Sequence, residues 1–169
     1  MFDLSGKTAL VTGATGGIGG AIARALHRQG ATVTLSGTRA EALEALRAEL
    51  GERVHVVAAR MDDPADIDRL AKEAEAAMGK LDILVNNAGI TRDNISMRMK
   101  DEEWEKVLQV NLTGTFLVCK HTIPQLLDGG GVIINTSSTA GVMGQPYSAA
   151  YCASKGGVSM MTRSHSPDA

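Results

Sequence analysis

Short apolar runs alternate along the first half of the chain with longer segments whose apolar positions recur every three or four residues. Short runs rich in β-branched residues predict buried strands, whereas the three-to-four-residue period predicts amphipathic helices. The predicted strands are TALVT (8–12), ATVTLS (31–36), VHVVAA (54–59) and DILVNN (82–87), and the predicted helices between them are 17–29, 39–50 and 64–78. Repeated strand–helix units predict an α/β protein: a Rossmann-like doubly wound parallel sheet with helices on both faces, in three α/β/α layers.

The second half continues the alternation with one long helix, a fifth strand and a sixth helix. The pattern predicts a helix over 101–127, a strand in GVIINTSS (131–138) and a helix from about Ala150 onward. The inward positions of the long helix are Trp104, Val107, Leu108, Asn111 and Leu112. A length of 169 residues corresponds to one domain. We assign residues 1–164 to that domain and residues 165–169, which are polar and include a proline, to a separate tail.

Charge and hydropathy remove several classes of function. The net charge of -2 and the pI near 6.1 provide no basic face, so we expect no nucleic-acid partner. No apolar stretch approaches the roughly 18 residues that span a bilayer, and the first residues lack a signal-peptide pattern. We therefore expect a cytoplasmic protein without a membrane segment. Neither the cysteines nor the histidines have the spacing of metal ligands, so we predict no metal site.

The stretch TGATGGIG (12–19) follows the first predicted strand and opens the first predicted helix. Glycines at this place permit a tight turn and let a pyrophosphate approach the backbone N–H groups of the helix N-terminus, where the helix dipole favours anions. The alternative is a tight turn with a purely structural role, but the strand, loop and helix context favours a dinucleotide site. The predicted cofactor contacts in this loop are Gly13, Thr15, Gly17, Ile18 and Gly19.

The end of the second strand indicates which dinucleotide binds. An acidic residue there would accept hydrogen bonds from an adenosine ribose and repel a 2′-phosphate, but this chain has LSGTR (35–39). The lack of an acid and the presence of Arg39 favour NADP(H), with Ser36 and Thr38 as hydroxyl donors to the phosphate. The alternative for Arg39 is an ordinary solvated side chain in the first turn of a helix.

Three residues of the C-terminal part form a candidate catalytic group. Ser138 follows the fifth strand, and Tyr151 and Lys155 lie one helical turn apart, so their side chains point the same way. A nearby ammonium lowers the pKa of a phenol and suits it to exchange a proton with a carbonyl or alcohol oxygen, which the Ser138 hydroxyl would hold. A Tyr-x-x-x-Lys pair alone arises by chance. The glycine loop, NNAG (86–89) and Asn111 make the combination specific.

With these motifs in place, the chain resembles the short-chain dehydrogenase/reductase family up to about Ser164. The stretches MFDLSGKTALVTGATGGIGGAIARALHRQGATVTLSGTR (1–39) and DILVNNAGITRDN (82–94) most resemble the 3-oxoacyl-[acyl-carrier-protein] reductases of fatty acid synthesis. The resemblance implies that Asn111 completes a catalytic tetrad and helps to hold a water in a proton relay. The implied catalytic tetrad is Asn111, Ser138, Tyr151 and Lys155. The further cofactor contacts that the resemblance implies are Asn87, Ala88, Gly89, Tyr151 and Lys155.

The function that this resemblance implies is NADPH-dependent reduction of a 3-oxoacyl thioester to the 3-hydroxyacyl form. The substrate would be a small molecule or an acyl group on a carrier protein, and the protein would be a homo-oligomer, a dimer or a tetramer. Two alternatives stay open: another short-chain alcohol or ketone dehydrogenase, and a non-catalytic dinucleotide-binding fragment.

The chain departs from the family pattern after the third strand and at its C-terminal end, among other places. Family members carry Asp or Asn after the third strand, followed by an apolar residue, for contact with the adenine. Here Arg60 precedes Met61, and we keep Met61 as a predicted cofactor contact. Family members also continue beyond the tyrosine helix with further strands, a Pro-Gly loop and a substrate lid. We therefore expect a C-terminally truncated chain, a sheet incomplete at that edge, and turnover that is weak or lost.

Overall fold

Five parallel strands form the centre of the computed structural model, which describes residues 2–127 and 129–164. The strands are β1 (Thr8–Val11), β2 (Thr32–Gly37), β3 (Val54–Ala58), β4 (Ile83–Asn86) and β5 (Val132–Asn135). Their order across the sheet is β3-β2-β1-β4-β5, and each neighbouring pair is parallel. The chain therefore winds outward from β1 in both directions, which confirms the predicted doubly wound α/β fold. The tail predicted at 165–169 lies outside the described residues.

In the described parts of the chain, six α-helices accompany the sheet, and the predicted long helix contains an irregular segment. The helices are α1 (Gly17–Arg28), α2 (Ala40–Leu50), α3 (Pro64–Met78), α4 (Asp101–Leu108), α5 (Gly114–Leu127) and α6 (Ala149–Ser164). A π-helical segment, Gln109–Thr113, joins α4 to α5 without a break, since the residues on either side keep right-handed helical dihedrals. The prediction of one helix over 101–127 is confirmed, with this wider turn in its middle.

One prediction about the inward side of that helix is wrong. Val107 and Asn111 are fully buried as expected, but Trp104 is 38% exposed. Trp104, which lies in α4 before the π segment, is therefore not one of the buried positions of this helix.

Two apolar layers cover the two faces of the sheet. Ala9 and Val11 of β1 face the layer that includes Leu43 of α2, while Leu10 and the residues around it face α3 and α5. This alternation follows from the two-residue period of a strand. None of the helices in the described ranges combines the length and the apolar character that a membrane crossing requires.

At one edge of the described sheet, β5 is covered on only one face. Ile133 packs against the core layer of α3 and α5, whereas Val132 and Ile134 are 56% and 47% exposed. This strand supplies the link to Ser138 and α6. The packing of α6 against α4, the π segment and the short 3₁₀ turn Thr139–Gly141 then fixes the catalytic candidates beside the sheet.

Asp82 joins the starts of β1 and β4. The Thr8 N–H donates to Asp82 Oδ2 at 2.9 Å, and the ammonium groups of Lys7 and Lys80 each lie 3.2 Å from Oδ1. Burial alone would raise the pKa of Asp82, whose side chain is 7% exposed. The hydrogen bonds from Thr8, Lys80 and Lys7 outweigh burial and lower this pKa to about 2.

We predict that Asp82→Asn lowers the free energy of unfolding by about 1 to 2 kcal/mol at neutral pH, a range that allows for the half-exposed lysines. A pKa that is depressed in the folded state stabilises the protein above the unfolded-state value, and this contribution disappears as the pH falls through about 2. Urea unfolding of both proteins across the acidic range measures the difference. A difference that stays constant between about pH 5 and pH 2 would contradict the assignment.

Candidate active site and cofactor cleft

A cavity of about 730 Å³ runs along the carboxyl ends of β1 to β4. This edge of a parallel sheet is where doubly wound folds bind ligands. Most of the predicted cofactor contacts line the cavity: Gly13, Thr15, Gly17, Ile18, Gly19, Thr38, Arg39, Met61, Asn87, Ala88 and Gly89. The structure therefore brings together residues from four separate loops of the sequence.

Gly13 and Gly19 let the glycine loop approach the loop after β4. Gly13 has a φ of 66°, and a Cβ there would lie 2.8 Å from Ala88 Cα. A Cβ at Gly19 would lie 2.2 Å from the Gly13 carbonyl oxygen. Neither position has room for a side chain. Gly17 is different, because nothing lies within 4 Å of the position that its Cβ would take.

The N-terminus of α1 suits a pyrophosphate. The N-cap residue Gly16 makes no side-chain capping hydrogen bond, and the first turn of α1 contains no acidic residue. The first N–H groups of a helix have no partner inside the helix, so here the backbone can donate them to an anion. The close glycine packing and this uncapped helix end together fit a dinucleotide.

Asn87 and Thr12 connect the two loops of the cleft. The Asn87 side-chain amide donates to the carbonyls of Thr12 and Gly13 at 3.1 and 3.3 Å. In return, the Thr12 hydroxyl accepts from the backbone N–H groups of Asn87 and Ala88 at 3.0 and 3.1 Å. Asn87 lines the cavity while its amide supports the glycine loop. Thr12 is not among the predicted site residues, although it stands at the end of the first predicted strand.

The end of β2 places two of the predicted phosphate contacts at the cavity and the third away from it. Thr38 and Arg39 line the cavity, and Arg39 Nη2 donates to the Thr15 carbonyl at 2.5 Å, which holds the guanidinium beside the glycine loop. Ser36 does not line the cavity, and its side chain is fully buried. Side chains alternate between the two faces of a strand, and Ser36 points into the protein. We therefore withdraw Ser36 as a cofactor contact.

Gly89 is where the cavity meets the catalytic candidates. A methyl group on Gly89 would lie 3.4 Å from Asn111 Oδ1 and 3.6 Å from Lys155 Nζ. The motif NNAG therefore contacts the glycine loop through Asn87 and lies beside Asn111 and Lys155 through Gly89. A ligand that extends along the cavity to Gly89 arrives at these side chains.

Lys155 and Tyr151 lie together on α6. The Lys155 Nζ is 5.8 Å from the centre of the Tyr151 ring and donates to the Thr136 carbonyl at 2.6 Å. Lys155 is 4% exposed, and this burial lowers its pKa. No carboxylate of the described residues forms an ion pair with it. A buried cation of this kind favours an anion nearby, and the Tyr151 phenolate would supply one.

Asn111 holds the cleft loop to α6. Its Oδ1 accepts from the Ile90 N–H at 2.8 Å, and its Nδ2 donates to the Ile90 carbonyl at 2.9 Å and to Ser154 Oγ at 3.0 Å. The Ser154 hydroxyl in turn donates to the Tyr151 carbonyl at 2.8 Å. Both amide donors of Asn111 are therefore engaged, so the geometry gives its side chain a positioning role. The proton-relay role implied by the resemblance stays a prediction.

Ser138 precedes the short turn Thr139–Gly141, which packs closely on α6. Its Oγ accepts from the Ala140 N–H at 3.2 Å, and within the described ranges its own hydroxyl proton has no acceptor. The turn lies so close to α6 that a Cβ at Gly141 would be 2.8 Å from the Lys155 carbonyl oxygen. Ser138 is thus held in place and has one hydrogen bond to donate.

The family model described as short chain dehydrogenase matches residues 7–169. The chain belongs to this family. The short-chain dehydrogenase family comprises oxidoreductases that bind a nicotinamide dinucleotide, which agrees with the glycine loop and the cavity described above.

Individual relatives of this short-chain dehydrogenase support the same conclusion. It is 52% identical to nodulation protein G of Rhizobium sp. (strain N33) over 94% of its length, and 44% identical to the 3-oxoacyl-[acyl-carrier-protein] reductase of Rickettsia bellii (strain RML369-C) over 97%. It spans 65% and 67% of these two relatives. An alcohol dehydrogenase from the archaeon Thermococcus sibiricus, solved in complex with 5-hydroxy-NADP, superposes with a TM-score of 0.90 at 29% identity. That superposition covers 94% of this chain and 69% of the other.

Two single alanine substitutions test the packing of the glycine loop. We predict that Gly19→Ala lowers the free energy of unfolding by about 1 to 3 kcal/mol, because its Cβ would collide with the Gly13 carbonyl. The matched control, Gly17→Ala, has open space around its Cβ and places a better helix former at the start of α1. Its stability should be unchanged or higher by up to about 1 kcal/mol. Urea unfolding compares them, and an equal loss in both variants would contradict the described contact.

Proposed function

We propose that this chain carries the site of an NADPH-dependent reductase that converts a 3-oxoacyl thioester to the 3-hydroxyacyl form. The observation that carries the proposal is the junction at Gly89, where the dinucleotide cavity meets Asn111 and Lys155. The thioester substrate is proposed from the similarity to the 3-oxoacyl-[acyl-carrier-protein] reductase of Rickettsia bellii. We retain the predicted small-molecule or carrier-bound substrate, the homo-oligomer and the single domain over residues 1–164 as parts of this proposal.

The preference for NADP(H) is proposed from the charges around the cavity. The cavity is lined by four basic residues, Arg39, Arg60, Arg92 and Lys106, and by one acidic residue, Asp62. Arg39 lies beside the glycine loop at the end of β2, where a 2′-phosphate on the adenosine ribose would come closest. The Thermococcus sibiricus relative is described with an NADP derivative, which supports the same choice.

The chain's own residues supply proton transfer and orientation. When bound, the nicotinamide provides the hydride that carbonyl reduction requires. Ser138 donates a hydrogen bond from its hydroxyl to the carbonyl oxygen of the substrate and orients it. Tyr151 then donates the phenolic proton to that oxygen, and the buried ammonium of Lys155 stabilises the phenolate that remains. Asn111 and Ser154 keep the start of α6 in place against the cleft loop.

A fluorescence titration with NADPH and NADH tests the cofactor. We predict saturable binding of both, with NADPH bound more tightly. Arg39→Gln should weaken NADPH binding by about tenfold, because it removes a charge-assisted hydrogen bond to the phosphate. NADH binding should change by less than about twofold, since NADH has no phosphate at that place. A similar loss for both cofactors would show that Arg39 supports the loop through Thr15 instead of binding the phosphate.

Tyr151→Phe separates catalysis from binding. The phenylalanine keeps the ring packing but removes the proton donor, so we predict that kcat on a 3-oxoacyl thioester falls by about 100-fold or more. The Kd for NADPH should stay within about twofold of the unsubstituted chain. Consumption of NADPH measures the first quantity and fluorescence the second. Turnover that is unaffected by the substitution would remove Tyr151 from the mechanism.

A further inference from the structure

Arg60 takes part in a charged cluster at the end of the cavity next to β3. Its Nε and Nη2 donate to the two carboxylate oxygens of Asp62 at 3.2 and 3.1 Å, and Lys106 of α4 also forms an ion pair with Asp62. All three residues line the cavity. The Arg60 side chain is 60% exposed, and the two parallel hydrogen bonds orient its planar guanidinium toward Asp62.

The turn that carries this cluster is firmly held. The Arg60 N–H donates to Asp66 Oδ2 at 3.1 Å, and Met61 is only 7% exposed. Gly114 lies against Met61 so closely that a Cβ there would be 2.4 Å from the Met61 carbonyl oxygen. Hydrogen bonds from Arg60 and Lys106 keep the pKa of Asp62 well below its usual range, so its carboxylate holds Arg60 at every ordinary pH.

The direction of a bound dinucleotide places its purine base at this cluster. The reacting end must lie near Gly89, where Lys155 and Asn111 meet the cavity, and the phosphates belong at the N-terminus of α1. The remaining half of the molecule then extends past Arg39 toward the end of β3. At that end the cavity is lined by the segment 59–62. This step rests on the dinucleotide site of the proposed function.

A guanidinium can donate hydrogen bonds but cannot accept them. The 6-amino group and N7 of adenine pair best with a carboxamide, which both accepts and donates. Arginine instead pairs with O6 and N7 of a 6-oxopurine. Asp62, the acidic residue of the cluster, already accepts from Arg60 and Lys106.

We propose that Arg60 is a specificity-determining residue for the purine base of the cofactor. With Arg60 in place, the cleft binds a 6-oxopurine dinucleotide at least as tightly as the adenine dinucleotide. The dinucleotides that the cleft accepts therefore include those with hypoxanthine in place of adenine. Hypoxanthine carries a carbonyl oxygen where adenine carries an amino group.

The experiment compares NADPH with reduced nicotinamide hypoxanthine dinucleotide phosphate, by fluorescence titration of the chain and its Arg60→Asp variant. The expected Kd for the hypoxanthine compound in the unsubstituted chain is equal to or lower than that for NADPH. Arg60→Asp supplies an acceptor for the amino group, so the ratio of the two Kd values should shift toward NADPH by about tenfold or more. The ratio cancels any general effect of the lost positive charge on both ligands.

Two control variants isolate the guanidinium. Lys106→Gln removes the other positive charge beside the Asp62 carboxylate but leaves Arg60 in place. The ratio of the two Kd values should therefore stay within about twofold of its value in the unsubstituted chain. Arg60→Lys keeps a group that only donates and should not produce a preference for NADPH.

The outcomes are distinct. A preference of about tenfold or more for NADPH in the unsubstituted chain, with no shift in Arg60→Asp, would overturn the inference while leaving the proposed reductase intact. Failure of both dinucleotides to bind would overturn the proposed function and this inference with it.

Discussion

The close approach of the glycine loop to the loop after β4 is the contact on which the whole cleft depends. Gly13 and Gly19 have no room for a Cβ, and the mutual hydrogen bonds of Thr12 and Asn87 join the two loops. Because β1 and β4 are neighbours in the sheet, this contact needs only backbone and short side chains. The glycine loop and the loop after β4 thus take their positions from each other.

A second series of contacts transfers that position to α6. Ile90 follows NNAG directly and is held at both backbone groups by Asn111, which reaches Ser154 and, through it, the Tyr151 carbonyl. Polar groups buried in this way stabilise a structure only when each has a partner, and here the partners come from three distant parts of the chain. Reactive side chains are thus placed on regular elements, with the loops held to them.

The fold and most of the cavity were predictable from the sequence because their signals are local. Apolar runs and glycine spacing depend on neighbouring residues, so the strands, the helices and the glycine loop were found where expected. Ser36 shows the limit: its position near the end of β2 was correctly recognised, but the face to which its side chain points depends on the pleat of the strand. The cluster of Arg60, Asp62 and Lys106 joins residues far apart in sequence, and only the folded chain shows it.

The π segment accommodates an extra residue in a single turn of one long helix. An α-helix advances by about 100° per residue, and a π turn accommodates more residues in each turn. Removal of one residue from Gln109–Thr113 would let the turn become α-helical while α4 and α5 keep nearly the same faces, but the residues of the turn itself, including Asn111, would change direction. The extra residue of that turn therefore sets the direction of Asn111 without turning the rest of the helix.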